Sequence, residues 1–531
     1  MNPSSASRPQ DRPPGAGEVA LLASVFVVAA CGLLYELVAG TLASWLLGDS
    51  VLQFSTIIGA YLFAMGIGSF LSRFVTRQLI ATFLRVELLV GLVGGLMPAA
   101  LFVAHNFVHG AHGAHGAPAV FRVLLYALVL LVGTLVGLEI PLVMRILKAQ
   151  FRDRWRLSEL VSQVLTFDYL GALAVAVAFP LLLLPQFGAI RTGVLFGLMN
   201  VAVAAWALWL FRAQLPRVRL HALACAAVVA ALVATGLGAD RLTTWAEDRF
   251  YGERIVHAAT SPYQRMVVTA NAAGEMRLFL NGNLQFDTRD EYRYHEALVH
   301  PAMAAHGAPR RVAILGGGDG LALREVLRYP GVEQVWLVDL DPQVTRLFAQ
   351  DERLRRLNAQ AFDSPRLRVV NADAFAWLES HEEIFDVIVV DFPDPSNFSL
   401  GKLYTTSFYA LLDRHLAATG YAVVQTTSPL LARRSFWTVV TTIESVGLTA
   451  TPYHAHVPSF GEWGFIVAGR RPWRPPGQFP QGLRYLTPQG LPGMLHFPPD
   501  MARVAAEPNR LSNQTLVRTF EEEWGRVQPH R

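Results

Sequence analysis

Cysteine is almost missing from this 531-residue chain, which has two, Cys31 and Cys225. Both lie in apolar runs and show no metal-ligand or redox spacing, so a disulfide framework is excluded. Charge is scarce as well. Asp, Glu, Lys and Arg make up 16% of the chain, against about one quarter of an ordinary soluble protein, while 52% is apolar and the mean hydropathy is +0.33. At roughly 100 to 200 residues per domain the chain is long enough for several units with large cores, and its apolar excess points to a bilayer. The second half lacks a surplus of positive charge. Residues 1–240 hold 15 Lys and Arg against 10 Asp and Glu, whereas residues 241–531 hold 30 against 31. The basic balance therefore belongs to loops flanking apolar segments and describes no nucleic-acid-binding surface. No small-residue cleavage site ends the first apolar run, which reads as a retained anchor rather than a signal peptide.

What is present begins with Met1–Gly17, rich in Ser, Pro and Arg and expected to be disordered. Seven apolar stretches follow, near 19–40, 54–72, 84–104, 121–144, 165–185, 189–211 and 220–238. Each approaches the ~20 helical residues that cross a hydrocarbon core, and together they predict an α-helical transmembrane bundle of about seven helices over 18–240. Basic residues collect in alternate connections: Arg73, Arg77 and Arg85, then Arg145, Lys148, Arg152, Arg154 and Arg156, then Arg212, Arg217 and Arg219. These connections and the N-terminus are expected to be cytoplasmic. Seven crossings from a cytoplasmic start place residue 241 onward outside, in conflict with the cytosolic side on which its chemistry belongs. Glu36, Glu87, Glu139 and Asp168 sit within or at the edges of apolar runs, where a charge is costly. They are read either as a transport pathway or as protonated or interhelically bonded structural groups. The loop with His105, His109, His112 and His115 is Gly-rich and lacks carboxylates, which favours a solvated loop over a metal site.

From Arg254 to Asp287 short alternating runs separated by Asn271, Gly274 and Asn281-Gly282 predict a small antiparallel β domain over 250–290. Beyond it, RVAIL, VEQVWLVD, LRVVN and FDVIVVD alternate with helical segments. That order specifies a doubly wound, Rossmann-like (methyltransferase-type) sheet over 291–525, with ligands at the carboxyl ends of its strands. Four strand ends stand out. Gly316-Gly317-Gly318-Asp319-Gly320 is a strand-to-helix turn that lets a ligand approach the backbone, with Gly316 and Gly318 at the nucleoside. Asp339, about 20 residues on, can accept both ribose hydroxyls. Asp373 and Ala374 are placed to meet an adenine edge, and Asp391-Phe392-Pro393-Asp394 adds two carboxylates. With Asp319 these form a negative patch suited to a cationic ligand.

These motifs, with SPYQ at Ser261–Gln264, RDEYRYHE at Arg289–Glu296 and LYTTSFY at Leu403–Tyr409, are similar over about 250–525 to the spermidine synthase family of polyamine aminopropyltransferases. The resemblance implies that Gln264, Asp339, Asp373 and Ala374 hold the methylthioadenosine portion of decarboxylated S-adenosylmethionine. It assigns His295, Asp319, Asp391 and Asp394 to the amines, with Tyr294 lining the same site and Asp391 as catalytic proton acceptor. It further implies putrescine as acceptor, no cofactor or metal beyond the cosubstrate, and a homodimer or homotetramer. The expected location is the inner membrane, multi-pass, with the catalytic domain facing the cytoplasm. Two departures leave the acceptor amine open. Ser396-Asn397-Phe398 replaces a Gly-Pro-containing loop, and Phe460 stands where the family often has a tyrosine, with Glu462 nearby read either as a replacement anion for a distal ammonium or as an exposed loop glutamate. Two competing readings are an S-adenosylmethionine-dependent methyltransferase, which the aspartate in the glycine turn and the Asp-x-x-Asp pair oppose, and a polyamine transporter or sensor whose soluble half only binds.

Overall fold

A computed structural model describes residues 16–47, 50–111, 117–150 and 157–527. The chain divides into two units, Met1–Gly252 and Glu253–Arg531. Most of the expected N-terminal disordered stretch lies outside the described residues, as do Arg152, Arg154, Arg156, His112 and His115; Ala16 and Gly17 open the first helix.

The first unit is all helical: α1 (Ala16–Leu47), α2 (Ser50–Ser72), α3 (Leu79–Ala111), α4 (Ala117–Gln150), α5 (Leu157–Ala178), α6 (Leu184–Leu210) and α7 (Val218–Tyr251). Among the described residues six stretches are long and apolar enough to cross a membrane, and the fifth, Ser158–Leu210, contains α6 and all of α5 but its first residue. A π-helical turn, Phe179–Leu183, and a sharp break at Gly188 (φ 70°, ψ 173°) divide that stretch into two. The last helix continues to Tyr251, beyond the expected boundary at 240, because the polar run after Asp240 still carries helix-forming residues. α2 and α4 approach so closely that a Cβ on Gly137 would lie 2.2 Å from the Met65 carbonyl oxygen. Small residues of this kind let helices pack without a hydrophobic drive from water.

The second unit begins with β1 (Arg254–Thr260), β2 (Arg265–Ala270), β3 (Met276–Leu280) and β4 (Asn283–Asp287), an antiparallel meander in sequence order. Met266, Val268, Leu278 and Phe286 from this sheet pack on Leu321, Val344 and Phe348, so the small sheet covers the helices that follow the first two strands of the larger one. After α8 (Glu291–His306) come β5 (Arg311–Gly316), α9 (Leu321–Val326), β6 (Gln334–Asp339), α10 (Pro342–Gln350), α11 (Glu352–Leu357), β7 (Leu367–Asn371), α12 (Ala374–Ser380) and β8 (Phe385–Asp391). β9 (Leu416–Thr426), β10 (Thr449–Val457) and β11 (Gly461–Gly469) complete a seven-stranded sheet of order β10-β11-β9-β8-β5-β6-β7.

β9, β8, β5, β6 and β7 run parallel, whereas β11 is antiparallel to both β9 and β10. The larger sheet is therefore mixed, its antiparallel edge made by a hairpin whose first arm, β10, has polar and apolar residues too intermixed to stand out in the sequence. Separate apolar clusters fill its two faces, one around Ile388, Phe408 and Phe436, the other around Leu298, Ile314 and Phe465. β5 is flanked by β6 on one side and β8 on the other, so the chain reverses its winding direction at β5, and the carboxyl ends of β5 and β8 border the resulting switch point.

Candidate active site

The glycine turn after β5 owes its shape to three residues with positive φ, Gly316 (φ 85°), Gly317 (φ 64°) and Gly320 (φ 76°). Gly316 pairs with Asp391 across the β5–β8 ladder, and a Cβ there would lie 2.1 Å from the Asp391 carbonyl oxygen. Only glycine lets these strand ends approach so closely. The Gly318 N–H donates to Asp339 Oδ2 at 3.0 Å, and the Asp341 N–H donates to Asp339 Oδ1 at 2.8 Å. Burial pushes the Asp339 carboxyl up to about 6, with those two N–H donors opposing the rise.

Asp391, half-buried at the end of β8, accepts a 2.6 Å hydrogen bond from the Tyr294 hydroxyl of α8. Burial pushes its carboxyl up to about 6; His295 and the Tyr294 hydrogen bond pull it down, and Asp319 adds to the rise. Asp319 itself is raised from its ordinary value by burial, against the pull of His295 and of the Leu321 N–H, which donates to its Oδ1 at 2.9 Å. Asp394 is pushed up to about 7 by burial, and its Oδ1 has no hydrogen-bond partner among the described residues. Three carboxyls thus sit where ionisation is unfavourable until a cation arrives.

His295 is 2% exposed. Its Nδ1 is 2.8 Å from the Glu291 carbonyl oxygen and 2.9 Å from Glu291 Oε2, two acceptors that make Nδ1 the protonated nitrogen. Burial disfavours the imidazolium, but the hydrogen bond and charge of Glu291, with Asp319 and Asp391, outweigh it and hold the pKa above its ordinary value. Glu291 is in turn gripped by Arg324 through two bonds of 3.0 and 2.9 Å. Glu291 and Arg324 were not among the expected site residues; an acidic residue one helical turn before His295 was the available signal.

Tyr294, His295, Asp319 and Asp391 therefore stand together, with Gly316, Gly318 and Asp339 beside them. Two expected nucleoside residues have other neighbours. Gln264 Nε2 donates to Asp341 Oδ2 at 3.1 Å, the oxygen that also accepts from Ser261 Oγ at 2.6 Å. The SPYQ segment is thus tied to the second aspartate of VDLD rather than to Asp339. Asp373 caps α12 by accepting from the N–H groups of Phe375 and Ala376 and pairs with Lys402 Nζ at 2.5 Å. Burial opposes ionisation of Asp373, yet Lys402 and the cap hold its pKa below the ordinary value. Ala374 is buried as the first residue of that helix.

The loop between Asp391 and Asp394 is held from behind. Tyr404 OH donates to the Pro393 carbonyl at 3.0 Å, Gln425 Nε2 donates to the Phe392 carbonyl, and Trp463 Nε1 donates to Gln425 Oε1 at 3.1 Å. Phe460 meets Tyr294 edge to face at 6.0 Å between ring centroids. Glu462, considered above as a distal anion, already accepts from His454 and lies 3.3 Å from His456 Nδ1; these contacts hold its pKa below the ordinary value. Its charge is engaged by its own hairpin. Among the described residues no group of three or more His, Cys, Asp and Glu side chains has the arrangement of a metal site.

A glycine turn tied to a half-buried aspartate at the switch point of a mixed α/β sheet, facing carboxyls that need a cation, defines a nucleoside-dependent enzyme that acts on a positively charged substrate. The spermine/spermidine synthase domain model matches residues 291–472. The chain is 56% identical over 521 residues to Polyamine aminopropyltransferase 1 of Ralstonia nicotianae, covering 97% of each chain. It is 47% identical over 510 residues to the Polyamine aminopropyltransferase of Leptospira interrogans, covering 96% of this chain and 99% of that one. A crystal structure of spermidine synthase in complex with the transition-state analogue AdoDATO is similar over 46% of this chain and 86% of that chain, with 27% identity and a TM-score of 0.44. The chain belongs to the polyamine aminopropyltransferase family.

Proposed function

We propose that the protein transfers the aminopropyl group of decarboxylated S-adenosylmethionine to putrescine, giving spermidine and methylthioadenosine. The observation that carries this reading is the Tyr294–Asp391 hydrogen bond at the β5–β8 switch point, beside Asp319 and next to the glycine turn. The amine nitrogen attacks the carbon beside the sulfonium, the carbon–sulfur bond breaks, and its electron pair neutralises the sulfur. The sulfonium is its own leaving group, so the reaction needs no general acid and no resident cofactor.

The obstacle is the nucleophile, because an alkylamine with a pKa near that of lysine, about 10.4, is almost wholly protonated at neutral pH. Asp391 orients the attacking nitrogen and accepts its proton, with Tyr294 fixing the carboxylate. Asp394 and His295 complete the amine site, and the unpartnered Asp394 Oδ1 is free to accept from an ammonium. Asp319 pairs with the donor's propylammonium and repels the carboxylate of ordinary S-adenosylmethionine. Asp339, Gln264, Asp373, Ala374, Gly316 and Gly318 form the nucleoside side, Gln264 acting through Asp341.

We read the helical unit as a multi-pass anchor in the cell membrane with the α/β unit on the cytosolic side, a placement that requires an even number of crossings among the seven helices. Assembly as a homodimer or homotetramer belongs to the same reading. The test supplies purified protein with putrescine and either donor, followed by mass spectrometry. Spermidine from the decarboxylated donor alone is expected; a methylated product from S-adenosylmethionine would replace this reading with a methyltransferase.

A further inference from the structure

The helical unit carries polar groups that the transfer reaction does not use. Glu87 on α3 is 0% exposed and Glu139 on α4 is 1% exposed. All four of their carboxyl oxygens lack a hydrogen-bond partner among the described residues, and none of the ion pairs found there involves either side chain. Buried polar groups are normally satisfied, and an acidic group in a membrane-spanning helix marks function by default. Glu139 interacts electrostatically with Glu87, and Tyr35 on α1 interacts with both.

Two neutral side chains repeat the pattern. The Tyr35 hydroxyl is buried and unpartnered, and its ring fills the space in front of Gly94. Asn200 on α6 is 0% exposed with both amide atoms unpartnered, and its Cβ lies 3.2 Å from where Gly91 would carry one. Glu87, Gly91 and Gly94 follow one another at helical spacing on a single face of α3. Helices α1, α3, α4 and α6 therefore each bring an unsatisfied polar group to one region of the bundle.

Protonation alone does not resolve this, because a protonated carboxyl still needs an acceptor for its proton and a donor for its second oxygen. A ligand with several donors and a positive charge does. We propose that the helical unit holds a binding site for an alkylammonium group between Glu87 and Glu139, completed by Tyr35 and Asn200. An ammonium offers three N–H donors to the carboxylates and to the amide and phenol oxygens. The choice of a polyamine as the natural occupant rests on the proposed function; the site itself does not.

The test is equilibrium dialysis of radiolabelled spermidine against the full chain in detergent micelles with methylthioadenosine present, alongside a transfer assay on the same preparation. The wild type is expected to bind one equivalent more than the Glu87→Gln, Glu139→Gln double variant. Equal stoichiometry in the two overturns the proposal. Transfer activity with equal stoichiometry sinks this inference alone, whereas a lost equivalent without transfer activity sinks the proposed function alone. Should the double variant fail to fold, the wild type is treated with a hydrophobic carbodiimide and mapped by mass spectrometry. Spermidine is expected to reduce labelling of Glu87 or Glu139 severalfold, and equal labelling with and without it overturns the proposal.

Discussion

Replacing Asp391 with asparagine tests the proposed chemistry at its most exposed point. The amide keeps the size of the carboxylate and still accepts the 2.6 Å hydrogen bond from Tyr294, so the site should retain its shape. What it loses is the ability to take a proton. General-base catalysis contributes about 10²–10⁴ in rate, or about 3–5 kcal/mol at 1.36 kcal/mol per factor of ten. kcat should fall by that factor, while KM for the decarboxylated donor changes by no more than about twofold, because a transition-state interaction is removed and donor binding is not. The pH profile supplies a second reading. Burial and Asp319 push Asp391 up to about 6, so its ionised, basic form is lost as pH falls through that value. Wild-type kcat/KM should therefore show an acid limb to which Asp391 contributes near pH about 6, and the variant should show a shallower one that keeps only the contribution of Asp394 at about 7. Steady-state assays across pH with both proteins measure this. A variant with wild-type kcat, or one that loses donor affinity and nothing else, refutes the assignment.

Asp319→Asn should raise KM for the decarboxylated donor about 10- to 100-fold, the loss expected for a charge-assisted hydrogen bond of about 1.5–3 kcal/mol, and should weaken discrimination against S-adenosylmethionine in a competition assay. Asp394→Asn should trade activity for stability: its folded pKa of about 7 lies above the ordinary value of 3.8, so ionisation works against the fold as pH rises. The substrate-free variant should be more stable than wild type at pH 8 by on the order of 1 kcal/mol after allowance for its partial exposure, and equal to it at pH 4, by urea denaturation. Glu291→Gln leaves His295 and Arg324 without their buried anion and should cost about 3 kcal/mol. Glu291 is held below its ordinary pKa of 4.5, so its contribution is present above that value and is lost on acidification; a thermal melt at neutral pH that matches wild type would contradict this. Gly318→Ala places a Cβ 2.6 Å from Asp339 Oδ2 and should weaken methylthioadenosine at least tenfold by titration calorimetry.

The legible parts of the site were those written contiguously. Gly316–Gly320 and Asp391–Asp394 each occupy one strand end, and the parallel ladder between β5 and β8 brings them together without help from any other segment. The supporting groups were not legible, because they come from distant parts of the chain. Arg324 reaches Glu291 across 33 residues, and Trp463 reaches Gln425 across 38. Lys402 was hidden for a similar reason: nothing local marks a lysine before LYTTSFY as the partner of Asp373. In the helical unit the apolar runs stood out, and the gap between 165–185 and 189–211 already fell at the break that Gly188 makes; the π-helical turn at Phe179–Leu183 was not legible, because it leaves the apolar pattern unchanged. β10 escaped notice because an edge strand half open to solvent needs no regular apolar pattern.

Asp339 has a further consequence. Its two oxygens already bind the N–H groups of Gly318, in the turn after β5, and Asp341, just after β6. On the proposed function these turns meet the adenosine moiety; they are tied together at folding, so the loss of loop freedom is not charged to capture of the donor. Donor association should accordingly be a single fast phase, without the slow isomerisation that a site assembled around its ligand would display in stopped-flow traces.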